Sequence, residues 1–128
     1  MKPHFLNVDL EIQSASKLDS LATAMGKRVV VLYSGPGPAR RHFLSLESSR
    51  QHKDPDATIQ ALCTAVERLP QAARRIWSTA RKEFDVGYEL RPSERSSRFS
   101  IRLDTLQRVA RLGASLTVTY YRRDTDDA

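Results

Sequence analysis

Leu6, Val8, Leu10 and Ile12 alternate with Asn7, Asp9, Glu11 and Gln13. This is the two-residue period of a strand with one face in a core and the other in water. Ser16 followed by Asp19 forms a capping-box start. Leu18, Leu21, Ala22 and Met25 then recur at helical spacing up to Gly26, a natural left-handed stop. Arg28–Tyr33 (RVVVLY) is apolar on both faces and predicts an interior strand. The stretch YSGPGPARRH ends it, and Arg41–Glu47 (RHFLSLE) reads as its antiparallel partner.

Asp54, Pro55 and Asp56 supply helix-start chemistry. Ile59, Leu62, Cys63, Val66, Leu69, Ala73, Ile76 and Trp77 then fall on one helical stripe. Pro70 removes a backbone donor in the middle, which predicts a kink or two abutting helices, and the stripe that keeps phase across it favours the kink. Phe84, Val86, Tyr88 and Leu90, and then Phe99, Ile101 and Leu103, alternate on either side of the polar loop RPSERSSR, which predicts a hairpin. Asp104 with Gln107 opens a last helix that Gly113 closes. Leu116, Val118 and Tyr120 form the final strand, and residues 122–128 are expected to fray.

The predicted order is βαββαββαβ. With helices on one side of a mostly antiparallel sheet, it describes a two-layer α+β sandwich of ferredoxin-like character. Gly26-Lys-Arg-Val-Val-Val-Leu-Tyr33 and Gly113-Ala-Ser-Leu-Thr-Val-Thr-Tyr120 share a glycine stop, a valine and a tyrosine at matching offsets, the mark of a pseudo-repeat of the two halves.

At 128 residues and 40% apolar content, residues 1–128 are expected to form a single domain with an ordinary core. No apolar run approaches the roughly 20 residues of a membrane span, and the N-terminus alternates where a signal peptide would be continuously apolar. The expectation is a soluble, cytoplasmic protein without membrane contact. Cys63 is the only cysteine, which excludes an intramolecular disulfide and metal sites built on cysteine pairs.

The net charge of +6 arises from 21 Lys+Arg, sixteen of them arginine, against 15 Asp+Glu. Arginine excess has two sources: an oxyanion-binding surface, or codon bias that replaces lysine without changing its role. The pairs Arg40-Arg41, Arg74-Arg75 and Arg122-Arg123 all fall near element ends, where a displayed cation can meet an anion or an acidic partner. Tyr121 should point away from Tyr120, leaving an aromatic on the polar sheet surface or its edge.

A phosphate cradle at YSGPGPARRH fails on chemistry. Pro36 and Pro38 lack the N–H groups a P-loop uses, no Lys-Ser/Thr follows, and a strand comes next where a helix is needed. The sheet face away from the helices should show Asn7, Asp9, Glu11, Asp85, Glu89, Ser100, Arg102, Thr117 and Thr119. Such a face lacks the stacking aromatics of an RNA platform, and its carboxylates would repel phosphate. Asp9, Glu11, Asp85 and Glu89 could serve acid/base chemistry if one were buried, but alternating carboxylates are also the ordinary way to keep a sheet wet. His4, His42 and His52 lack metal-binding spacing, Cys63 reads as a buried inert thiol, and Trp77 as the largest core residue. No motif calls for a cofactor or metal.

The segment Phe99–Tyr121, FSIRLDTLQRVARLGASLTVTYY, resembles the end of small uncharacterised bacterial α+β proteins, in which a strand, a short helix ending Leu-Gly and a last strand close the domain. Some of these families are suspected immunity or regulatory proteins, and the resemblance implies an interaction module without catalytic residues. The leading expectation is therefore a non-enzymatic domain that binds a protein partner or itself through a sheet edge or the polar sheet face. A nucleic-acid-associated protein using its arginine-rich helix and loops is the first alternative, and a small enzyme with carboxylates in a sheet cavity the second.

Overall fold

The first strand dictates the architecture. In the computed structural model, which describes residues 5–90 and 98–122, β1 (Phe5–Ser14) is the middle of a five-stranded sheet. Val8, Leu10 and Ile12 are fully buried on one side, while Asn7, Asp9, Glu11 and Gln13 lie half-buried on the other. The helix α1 (Asp19–Met25) follows, and Gly26 ends it at φ 62°, as its left-handed cap chemistry requires. β2 (Val29–Pro36) and β3 (His42–Ser48) form an antiparallel hairpin, and β3 pairs antiparallel with β1. The sheet order is β2-β3-β1-β4-β5, with β4 (Arg81–Leu90) antiparallel to β1 and β5 (Ser115–Arg122) parallel to β4.

Asp54 caps α2 (Pro55–Glu67) by accepting from the Ala57 N–H at 2.8 Å, with Pro55 in the first helical position. The stripe Ile59, Leu62, Cys63 and Val66 is buried against the β1–β3–β4 face together with Leu44, Leu46, Phe84 and Val86. At Arg68 to Pro70 the chain leaves the helix and resumes as α3 (Gln71–Thr79), so Pro70 separates two helices, the less favoured of the two arrangements expected there. Pro70 still supplies the carbonyl that receives the Arg74 N–H. Trp77 is buried, and its indole N–H donates to the Leu112 carbonyl at 2.9 Å.

Several expectations are corrected. Phe99 to Leu103 is not a strand: α4 begins at Leu103 and runs to Arg111. The Arg102 N–H donates to Asp56 Oδ1 at 2.9 Å, so this segment is tied to the first turn of α2 and not to a sheet neighbour. Phe99 instead closes on Phe5 and Tyr88, with ring centroids 6.0 and 5.3 Å away. Because α4 carries the chain back to the start of the sheet, β5 joins β4 in parallel, and the sheet is mixed where an antiparallel one was expected. RVVVLY is the outer strand of the sheet, not an interior one, since β3 turns back to pair with β1 and leaves β2 uncovered.

The observed order βαββααβαβ differs from the predicted βαββαββαβ in its second half. The likeness of the two halves is confined to the glycine-strand junctions at Gly26 and Gly113, both at positive φ. Strands β1 and β2 have β3 between them, whereas β4 and β5 are neighbours. Most of the polar loop, residues 91–97, and most of the tail, residues 123–128, lie outside the described residues.

Two local devices hold the ends of elements. Lys82 occupies a core-facing position of β4, where its Nζ donates to the carbonyls of Trp77 at 2.8 Å and Ala80 at 3.1 Å and lies 5.4 Å from the Trp77 ring centroid. A cation there satisfies the open carbonyl end of α3, although burial lowers its pKa. The β2–β3 connection turns through Ala39 and Arg40, at φ 57° and 60°, with the Arg41 N–H donating to the Pro38 carbonyl at 3.1 Å. This is the two-residue turn geometry that favours Asn-Gly, here built from residues with a steric penalty.

Replacing Ala39→Asn together with Arg40→Gly is therefore expected to stabilise the fold by about 1–2 kcal/mol, read from urea unfolding midpoints. Lys82→Met, which keeps the aliphatic volume and removes the donor, should cost about 1–3 kcal/mol in the same measurement.

Candidate functional site

The face of the sheet turned away from the helices is the most distinctive chemical surface of the molecule. Its composition follows from strand register. Asp9 stands directly between Glu47 on β3 and Asp85 on β4, and Thr117 on β5 extends that row. Glu11 stands between Ser45 and Glu83, and Ser115 extends the second row. Asp9, Glu11, Glu47, Glu83, Asp85 and Glu89 share this face, and Arg81 is the one cation at its strand positions among the described residues.

Hydroxyls and an amide fix the carboxylates. Thr117 Oγ1 donates to Glu83 at 2.9 Å, Thr119 Oγ1 donates to Asp85 at 2.7 Å, and the Asn7 amide donates to Glu47. None of these donors carries a charge, so the repulsion between rows is only partly offset. Partial burial is the largest cause that raises Asp9 above its ordinary value, followed by Glu47 and Asp85. Glu11 is pushed up to about 7, first by burial, then by a hydrogen bond with Glu83 and the charges of Asp85, Glu83 and Asp9.

Sequence reasoning placed Asn7, Asp9, Glu11, Asp85, Glu89, Thr117 and Thr119 on this face, and the structure puts them there. Ser100 and Arg102 are not in the sheet. Glu47 and Glu83 were not assigned to it, yet each alternates with buried neighbours: Glu47 follows Leu46, and Glu83 lies between Lys82 and Phe84. Extending the period of two through both strands would have found them.

The arginine positions do not converge. Arg40 and Arg41 line a shallow cavity of about 280 Å3 with Lys17, Asp19 and Ser34 at the β2–β3 turn. Arg74 is exposed on α3 and donates to the Glu67 carbonyl at 2.9 Å, and Arg75 is exposed beside it. Arg122 ends β5 at the opposite edge and opposite end of the sheet from Arg40, and Arg123 lies outside the described residues. Tyr121 does face opposite to Tyr120: Tyr120 stacks on Tyr88 at 5.8 Å, while the Tyr121 ring lies over Gly87 on the open face. Cys63 is buried and its thiol is pushed up to about 11, chiefly by that burial, which leaves it unreactive.

Among the described residues no group of three or more His, Cys, Asp or Glu is placed to hold a metal ion, and no helix is long and apolar enough to cross a membrane. Comparison with family models, curated proteins and solved structures gave no match.

The raised Glu11 sets a pH signature for folding. A carboxyl whose pKa is higher in the folded chain contributes its stability below the unfolded value, and that contribution is lost as pH rises through the folded value. The unfolding temperature should therefore fall between pH 4.5 and about 7, and Glu11→Gln should remove most of that slope. A Glu11→Gln profile parallel to that of the parent chain across this window would refute the assignment.

Proposed function

We propose that this chain is a non-enzymatic interaction domain whose open sheet face binds a cationic segment of a partner protein. The supporting observation is the register of Glu47, Asp9 and Asp85, three carboxylates directly opposite one another on adjacent strands. Like charges so placed destabilise a sheet, and a chain with sixteen arginines has ample cations to intersperse. An arrangement that costs folding stability and is relieved by an external cation is the electrostatic complement of a lysine- or arginine-rich segment. Tyr121 and Tyr33, exposed on the same face at opposite edges, provide ring surfaces for the stems and guanidinium planes of such a segment.

The neighbouring Thr117 and Thr119 hydroxyls hold Glu83 and Asp85 in place as acceptors, so little side-chain freedom is lost on binding. A small cytoplasmic regulatory or immunity-type role, as the C-terminal resemblance implies, fits a module of this kind.

Titration with an oligoarginine peptide at low salt, followed by fluorescence anisotropy, tests the reading. Binding that weakens steeply with salt, and by at least about tenfold in the Asp9→Asn/Asp85→Asn double variant, is expected. That variant relieves repulsion and should fold at least as well as the parent. Absence of binding at low salt, or retention of duplex DNA in place of the peptide, would overturn the proposal.

A further inference from the structure

The outer strand β2 is unusual for an edge. Edges are ordinarily blunted by charge, proline or brevity, yet from Val29 to Ser34 this strand carries no ionic group. Val30, Val31, Leu32 and Tyr33 are 45%, 46%, 47% and 46% exposed, a continuous apolar run that presents side chains to both faces of the sheet. The other edge, β5, alternates threonines with its apolar residues and ends in Arg122.

The bulge in β2 decides what can pair with it. Val30 faces the open side opposite Glu47, Val31 faces the helix side opposite Leu46, and Tyr33 is already back on the open side opposite Ser45, because Leu32 is inserted between them. In an antiparallel pair, residues directly opposite each other lie on the same face. A regular strand pairing with its own copy therefore needs partners separated by an even number of positions. The inserted Leu32 changes this parity. Val30 and Tyr33 now share the open face, and Val29 and Ser34 share the helix face, although each pair is separated by an odd number. A two-fold axis between Val31 and Leu32 consequently sets Val30 against Tyr33, Val31 against Leu32, and Val29 against Ser34 of the other copy, apolar run on apolar run. A bulge that would spoil a regular partner makes this strand complementary to itself.

Charge does not oppose this axis on the open face. The nearest acidic positions of the two open faces, the Glu47 pair on β3, are kept three strand spacings apart, about 14 Å. That exceeds the screening length of about 8 Å at physiological ionic strength.

We infer that two copies of this chain associate about a two-fold axis through antiparallel pairing of β2 with β2, giving a continuous ten-stranded sheet with both acidic faces on one side. An edge-strand contact covers less than the roughly 800 Å2 per partner of a tight complex, so the association is concentration-dependent. It stands independently of any cationic partner.

Sedimentation equilibrium from about 1 µM to about 1 mM is the test. The full-length chain should pass from monomer to dimer in this range. Val31→Lys and Leu32→Lys, both at exposed positions, should raise the dissociation constant at least about tenfold while leaving the thermal unfolding temperature of the monomer unchanged. Val118→Lys on β5 should leave association intact. A chain that stays monomeric to 1 mM overturns the inference, as does a dimer that survives both β2 variants or is dissolved by Val118→Lys. Because oligoarginine binding is read on monomer at low concentration, its failure and the failure of pairing are separable.

Discussion

The structure depends on the placement of β1 between two antiparallel neighbours. A central strand with strict alternation sends Val8, Leu10 and Ile12 into the core, each contributing on the order of 1.5–3 kcal/mol of apolar burial. The same alternation commits Asp9 and Glu11 to the other side. A slip of one residue against β3 or β4 would drive both carboxylates among Leu44, Leu46, Phe84 and Val86. Register is therefore enforced by the core, and the acidic rows are its geometric consequence. The repulsion in those rows is tolerated because burial on the opposite face outweighs it.

Charge in this protein is a matter of position more than of sum. The net value of +6 describes a basic molecule, yet the open sheet face is acidic. Helices, turns and loops carry most of the cations among the described residues, and several cations are engaged locally. Arg108 pairs with Glu67 at 2.6 Å and donates to Thr64, binding α4 to α2, while Arg74 reaches the end of α2 and Lys82 the end of α3. A partner approaching along the sheet normal meets a local field of sign opposite to the net charge.

Periodicity made much of this legible. β1, β3, β4, β5 and the helix caps at Asp54, Gly26 and Gly113 follow from alternation and cap chemistry, which are local properties of the chain. What was misread depends on contacts distant in sequence. Phe99 and Ile101 have the spacing of a strand, but the Arg102 N–H donates to Asp56, 46 positions away at the start of α2, and the crossover through α4 makes the last pairing parallel. RVVVLY has the composition of a buried strand, and only the return of β3 to β1 reveals that it is outermost. The acidic face was half visible, since Asp9 and Glu11 share a short segment whereas their meeting with Glu47 and Glu83 is a fact of register. The described members of the arginine pairs, conspicuous in the sequence, are dispersed to different corners of the fold.

That β2 is ordered at all without being covered follows from its own hairpin. The Tyr33 hydroxyl donates to the Pro36 carbonyl at 2.7 Å, the Tyr33 and Phe43 rings meet at 5.9 Å, and the Gly37 N–H donates to the Arg41 carbonyl at 2.7 Å. Gly37 has no room for a side chain, because a Cβ there would lie 2.7 Å from that of Phe43. Prolines on either side of it restrict the chain further. The stretch YSGPGPARRH is thus a stiff clasp that holds the strand extended before anything pairs with it. Conformational entropy that a flexible edge would lose on association has already been lost in folding, so the apolar run of β2 presents a preorganised template.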